Sequence, residues 1–79
     1  MTTITAAKTI DARGMACPGP LMTLIGAIRQ AAVGDVIEVL SSDHGSRTDI
    51  PAWVAKARHE LMRVEPGDGY GTFVVRKAH

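Results

Sequence analysis

The stretch Lys8-Thr9-Ile10-Asp11-Ala12 alternates polar and apolar side chains and stops at Arg13-Gly14, which predicts a half-buried first strand and its turn. Leu21, Leu24, Ile25, Ile28 and Ala32 then recur at spacings of three and four. That period predicts a helix opening at Pro20 and stopping at Val33-Gly34-Asp35. Val36-Ile37-Glu38-Val39-Leu40 is short and β-branched and predicts a second strand; a polar run, Ser41-Ser42-Asp43-His44-Gly45-Ser46, follows it. Ile50, Val54, Ala57 and Leu61 mark the apolar face of a second helix, capped by Thr48 or Asp49, with Pro51 in its first turn and an end near Leu61. Finally, Met62–Glu65 and Tyr70–Arg76 flank Pro66-Gly67-Asp68-Gly69, which predicts a hairpin.

The predicted order is β-α-β-α-β-β. Each helix is amphipathic on one side, and a sheet must bury one face. The expected fold is therefore an α+β two-layer sandwich, a four-stranded mixed sheet with two helices on one face. With 79 residues and 46% apolar content the chain makes a single domain, with a core over about residues 8–77 and a flexible segment at residues 1–7. Nine basic and eight acidic residues alternate to a net charge of +1, so no positive block is available to track a phosphate backbone, and direct nucleic-acid binding is not expected. The apolar runs fall far short of the roughly 20 residues that span a bilayer. The N-terminus lacks a basic region followed by an apolar one, and a single cysteine cannot form an internal disulfide; both point to a reducing cytoplasm.

That cysteine carries the chemistry. Cys17 stands between Asp11-Ala12-Arg13-Gly14-Met15-Ala16 and Pro18-Gly19-Pro20, at or just before the first helix. Unpaired N–H groups and the positive end of the helix dipole favour an anion there, and a thiolate is one. A free thiol titrates near about 8.5. A helix terminus contributes about 0.3–1 kcal/mol, up to about 2 in favourable geometry, so the expected lowering is at most about one and a half pKa units. That suits sulfur exchange, because nucleophilicity falls as the pKa falls. Arg13 is a candidate for an added positive charge, at a distance the spacing leaves open. Pro18 and Pro20 fix φ on either side of Gly19 and make the approach to the helix rigid, while Gly19 is expected to leave space beside the sulfur for a visiting group. Free cysteines are commonly core residues, but the flanking prolines and the helix-start position favour a reactive one.

No second cysteine supports an internal dithiol cycle, and His44, His59 and His79 cannot be placed beside Cys17 from spacing, so a self-contained hydrolase is not expected. No zinc-ligand spacing occurs and no cofactor site is indicated. Met15 and Met22 bracket the motif as a candidate docking patch, with core packing the equal alternative. Arg47, in the polar loop, is the candidate for partner contact; Asp49 is read as a helix cap and Trp53 as core.

The pattern Asp11-x-x-Gly14-x-x-Cys17-Pro18-x-Pro20, with Gly34-Asp35, Asp43 and Thr48-Asp49-Ile50-Pro51-Ala52-Trp53, resembles the TusA family of small sulfur-carrier proteins, also called SirA-like. The resemblance covers about Thr9 to Lys77 and agrees with the predicted fold. It implies that Cys17 carries sulfane sulfur as a persulfide, taken from a rhodanese or a cysteine desulfurase and passed to an acceptor cysteine on another protein. Members that serve tRNA thiolation carry glutamate between the prolines and basic residues on the following helix. Here Gly19 holds that position and the helix carries Met22, Thr23 and Ile25, which resembles members linked to sulfur oxidation or to rhodanese and DsrE-like partners. Three alternatives stand beside that reading: a relay for tRNA 2-thiouridine synthesis, a non-catalytic interaction module, and a peroxide-sensing thiol.

Overall fold

A computed structural model of the protein describes residues 7–16 and 18–79. The elements are β1 (Lys8–Asp11), α1 (Gly19–Gln30), β2 (Val36–Ser41), α2 (Ser46–Lys56), β3 (Glu60–Pro66) and β4 (Gly71–Arg76), in the order expected. The sheet runs β1-β2-β4-β3, with β1 parallel to β2 and β4 antiparallel to both its neighbours. β1-α1-β2 and β2-α2-β3 are thus both crossovers between parallel strands, and both advance in the same direction across the sheet. Right-handed crossovers of that kind place both helices on one face. The core bears this out: Leu24, Ala27 and Ile28 of α1 and Ile50 and Val54 of α2 cluster with Ile37, Val39, Phe73 and Val75 of the sheet. The opposite face carries Thr9, Glu38, Arg63, Glu65 and Arg76 around a buried Val74. Edge strand β3 is blunted by a bulge between Leu61 and Arg63 and by the Arg63–Glu65 ion pair at 2.6 Å.

The second helix departs from expectation at both ends. It starts at Ser46, earlier than Thr48 or Asp49, with Gly45 at the N-cap and no side-chain cap. The reason is tertiary: the buried hydroxyls of Ser41 and Ser46 bond each other at 2.8 Å and tie the first helical residue to the end of β2. Asp49 therefore lies within the first turn, where its charge suits the dipole, and Pro51 lies inside the helix, where its missing N–H leaves out the bond to the Arg47 carbonyl. The helix ends at Lys56, so Leu61 belongs to β3. Arg58 takes a left-handed conformation with φ 63°. Its N–H donates to Ala55 O at 3.2 Å and the His59 N–H to Val54 O at 3.0 Å, the Schellman arrangement without its usual glycine. A side chain there carries a steric penalty, so Arg58→Gly is expected to stabilise the fold by about 1 kcal/mol, a rise of about 4–8 °C in midpoint for a domain this small. A thermal melt showing no rise would refute that account of the helix end.

Candidate functional site

The registers Asp11↔Leu40, Ser41↔Gly71 and Pro66↔Gly71 bring the C-terminal ends of β1, β2 and β3 and the start of β4 to one edge of the molecule. Three connections meet there: the segment from Ala12 to Pro18 that enters α1, the Ser42–Gly45 loop that enters α2, and the Gly67–Tyr70 hairpin turn. Cys17 itself, and residues 1–6, lie outside the described residues. Pro18 is the N-cap of α1, and the Gly19 N–H donates to Ala16 O at 2.8 Å. That bond uses the Gly19 N–H internally. The α1 first turn holds no acidic residue and no side chain caps it, so the positive end of the helix is not offset there.

The glycines of the motif have distinct physical roles. Gly14 has φ 88°, which other residues adopt only under strain, and its N–H donates to Ser42 Oγ at 2.9 Å, joining the first loop to the second. Gly19 does not leave open space, as the sequence suggested: a Cβ there would lie 3.2 Å from Met15 Cβ and 3.5 Å from its Sδ. The room created by the absent side chain is occupied by Met15, which lies against the start of α1. Met15 is 43% and Met22 58% exposed, so both methionines are on the surface and neither is core. Pro20 is fully buried and anchors the first turn.

Arg13 is committed to partners. Its backbone N–H and its Nε donate to Asp11 Oδ1 at 3.1 and 2.9 Å, and Nη2 donates to Asp11 Oδ2 at 2.8 Å. Its guanidinium also lies over the Tyr70 ring, 5.0 Å from the centroid. The positive charge expected to favour a thiolate is thus largely matched by a carboxylate. The Arg13 side chain, and then its backbone N–H, hold the Asp11 carboxyl down at about 2, while the carboxylate raises the Arg13 guanidinium further above its already high value. A depressed carboxyl contributes stability that is complete above the unfolded value of about 3.9 and is lost as pH falls through about 2. Observing the Asp11 side-chain carbon by NMR is expected to give a midpoint near 2. A midpoint near 3.9 would mean the pair does not persist in solution.

Arg47 occupies the first turn of α2 at the same edge, but on the lip of a separate hollow of about 310 Å³ lined with Pro51, Val64, Pro66, Gly71 and Phe73. Trp53 packs against the core, as expected. His44 is exposed in the second loop. His59 and His79 stack with ring centroids 4.8 Å apart beside the start of β3, at the opposite end of the sheet. Burial, then the proximity of His79 and Lys77, pushes the His59 imidazole below its usual value, and its Nδ1 accepts the Ala78 N–H at 3.1 Å. Neither is placed to serve chemistry at the α1 entrance. No group of three metal-ligating side chains occurs among the described residues, and no helix among them is long and apolar enough to cross a membrane. Ser42 and Tyr70 are the site residues that sequence reasoning missed; only the turn signal before Tyr70 hinted at a loop there.

Comparison with known proteins matches residues 8–77 to the family described as Sulfurtransferase TusA. A protein of Archaeoglobus fulgidus, provisionally named a sulfur carrier protein, is 54% identical over 86% of this chain and 93% of its own length. The sulfur carrier protein TusA of Pseudomonas entomophila is 35% identical over 98% of this chain and 96% of its own. The crystal structure of a SirA-like protein from Desulfitobacterium hafniense superposes with a TM-score of 0.78 at 23% identity, covering 91% of this chain and 99% of that one, and so shares the fold.

Proposed function

Because the chain belongs to the TusA family of sulfur carriers, we propose that Cys17 accepts sulfane sulfur as a persulfide and passes it to a cysteine of a partner protein. The Cys17 thiolate attacks the terminal sulfur of a donor persulfide; an S–S bond forms to Cys17 and the donor's S–S bond breaks, releasing the donor thiolate with no net oxidation. An acceptor thiolate then attacks the terminal sulfur on Cys17, and the Cys17 thiolate leaves. A thiol that must both attack and leave works best with a pKa near ambient pH, and two features support that balance: the acid-free start of α1 favours the thiolate, while the Asp11 carboxylate matches the charge of Arg13 and limits any further lowering.

The observation that carries this reading is the uncapped, acid-free start of α1 directly after Cys17, reached through the Gly14–Ser42 and Asp11–Arg13 contacts. The exposed Met15 and Met22 supply an apolar contact patch on either side of the motif, and Arg47 a charged one nearby. A rhodanese or cysteine desulfurase as donor and a DsrE-like protein as acceptor, in cytoplasmic sulfur trafficking or oxidation, fit Gly19 and a helix whose single basic residue, Arg29, lies in its last turn. The test is incubation with a persulfide or thiosulfate donor followed by intact mass measurement. Gain of one sulfur atom, removed by reductant, is expected; no adduct with either class of donor would end the proposal.

A further inference from the structure

We propose that the hollow between α2 and the β3–β4 hairpin binds a small organic monocarboxylate, whose acyl or aryl body fills the hollow and whose carboxylate meets Arg47. The site is independent of any chemistry at Cys17. Its volume, about 310 Å³, is at the lower end of the range for small-molecule sites, and Arg47, Pro51, Val64, Pro66, Gly71 and Phe73 line it. One cation stands at the rim and no acid is in the lining. Two of the walls are proline rings, which have little freedom to lose when a ligand enters. Phe73 forms the floor and faces the helix layer, opposite Val39 and Val64. Val64 belongs to the same face yet is 46% exposed, because α2 leaves edge strand β3 partly uncovered. The other exposed large apolar side chains among the described residues, Met15, Met22 and Val33, lie in or beside α1. The hollow is thus an isolated concavity rather than part of a broad apolar face, which suits a small molecule better than a protein surface.

Gly71 keeps the hollow open. It lies two residues before Phe73 on β4, so a side chain there would stand on the same face, beside the ring. A Cβ would make ordinary contacts, 3.6 Å from Phe73 Cε1 and 3.9 Å from Glu65 O, and Gly71 is not among the glycines of positive φ. Neither space nor conformation demands glycine, and glycine weakens a strand; strand glycines of this kind mark places where a ligand approaches. Arg47 supplies the polar contact. Arg13, Arg63 and Arg76 each hold a carboxylate of the chain. Arg47 is exposed, its N–H bonds His44 O at 3.2 Å, and no hydrogen bond or ion pair engages its guanidinium among the described residues. A guanidinium matches a carboxylate with two parallel hydrogen bonds. A phosphate would call for further donors, and the neighbouring Pro51 and Pro66 have no N–H to give.

The experiment follows the amide NMR shifts of the isotopically labelled full chain during titration with hexanoate. Saturable shifts centred on Arg47, Val64, Gly71 and Phe73 are expected, with a dissociation constant of about 0.1–5 mM, the range open to a ligand of so few atoms. Hexanol, which keeps the apolar body, and acetate, which keeps the charge, are each expected to bind at least about tenfold more weakly. Arg47→Gln, at an exposed position, is expected to keep the fold and the parent's affinity for hexanol while losing about tenfold for hexanoate. Gly71→Val places a strand-favouring side chain in the hollow and is expected to abolish binding of both without lowering the unfolding temperature. Absence of saturation up to about 20 mM, hexanol binding as tightly as hexanoate, shifts centred elsewhere, or unchanged hexanoate affinity in Arg47→Gln would each overturn the proposal. None of these readouts depends on whether the protein takes up sulfane sulfur.

Discussion

Cys17→Ser is expected to abolish sulfur uptake from any persulfide donor, with no residual adduct on intact mass measurement. The hydroxyl is a smaller group of the same connectivity that is not ionised near neutral pH, and no second cysteine can take its place. The effect should be all-or-none, because the chain's single cysteine is its only thiol. The variant must keep the far-ultraviolet circular dichroism of the parent for the result to count. A persulfide adduct persisting in folded Cys17→Ser would remove the cysteine from the mechanism. Full biological activity of that variant would instead favour a module that binds partners without carrying sulfur.

Phe73→Ala is expected to produce the largest loss of stability. Phe73 is the largest of the fully buried side chains, 1% exposed, and stands at the centre of the helix-covered face opposite Val39 on β2 and Val64 on β3. Truncating a buried phenylalanine costs about 3–5 kcal/mol through lost transfer energy and the cavity left behind. A domain of this length has a total stability of only about 4–12 kcal/mol. The midpoint is expected to fall by more than about 15 °C, and at the lower end of that range the protein would be partly unfolded at room temperature. The cavity would join the hollow between α2 and the hairpin that Phe73 already lines, so water entry is expected to favour the lower half of the cost. A melt within about 5 °C of the parent would mean that the ring is not a principal core element.

Both substitutions fall on features that could be read from the chain. Alternation in β1 and β2, the three-and-four spacing in α1 and the turn tetrad before β4 each report a local preference that tertiary packing reinforces, and those elements appear where expected. The boundaries of α2 were not legible, because neither is set locally. Its start depends on a hydroxyl pair between Ser41 and Ser46, and its end on Arg58 accepting a conformation that a sequence reader assigns to glycine. The open space expected beside Gly19 was misjudged for a related reason: a glycine reveals that a side chain is absent, and only packing reveals that Met15 fills the gap.

What the chain determined by itself is the element order, the apolar face of α1, and a lone cysteine held by prolines at a helix entrance, since these depend on periodicity, φ restriction and residue chemistry within a few positions. What only the tertiary structure decided is who surrounds that entrance. Asp11 takes up the charge of Arg13, Ser42 holds Gly14, and Tyr70 reaches Arg13 from the far hairpin. These contacts exist because β4 inserts between β2 and β3 and brings the hairpin to the edge where the helices begin, an arrangement imposed by burying one sheet face beneath two helices rather than by any short run of residues.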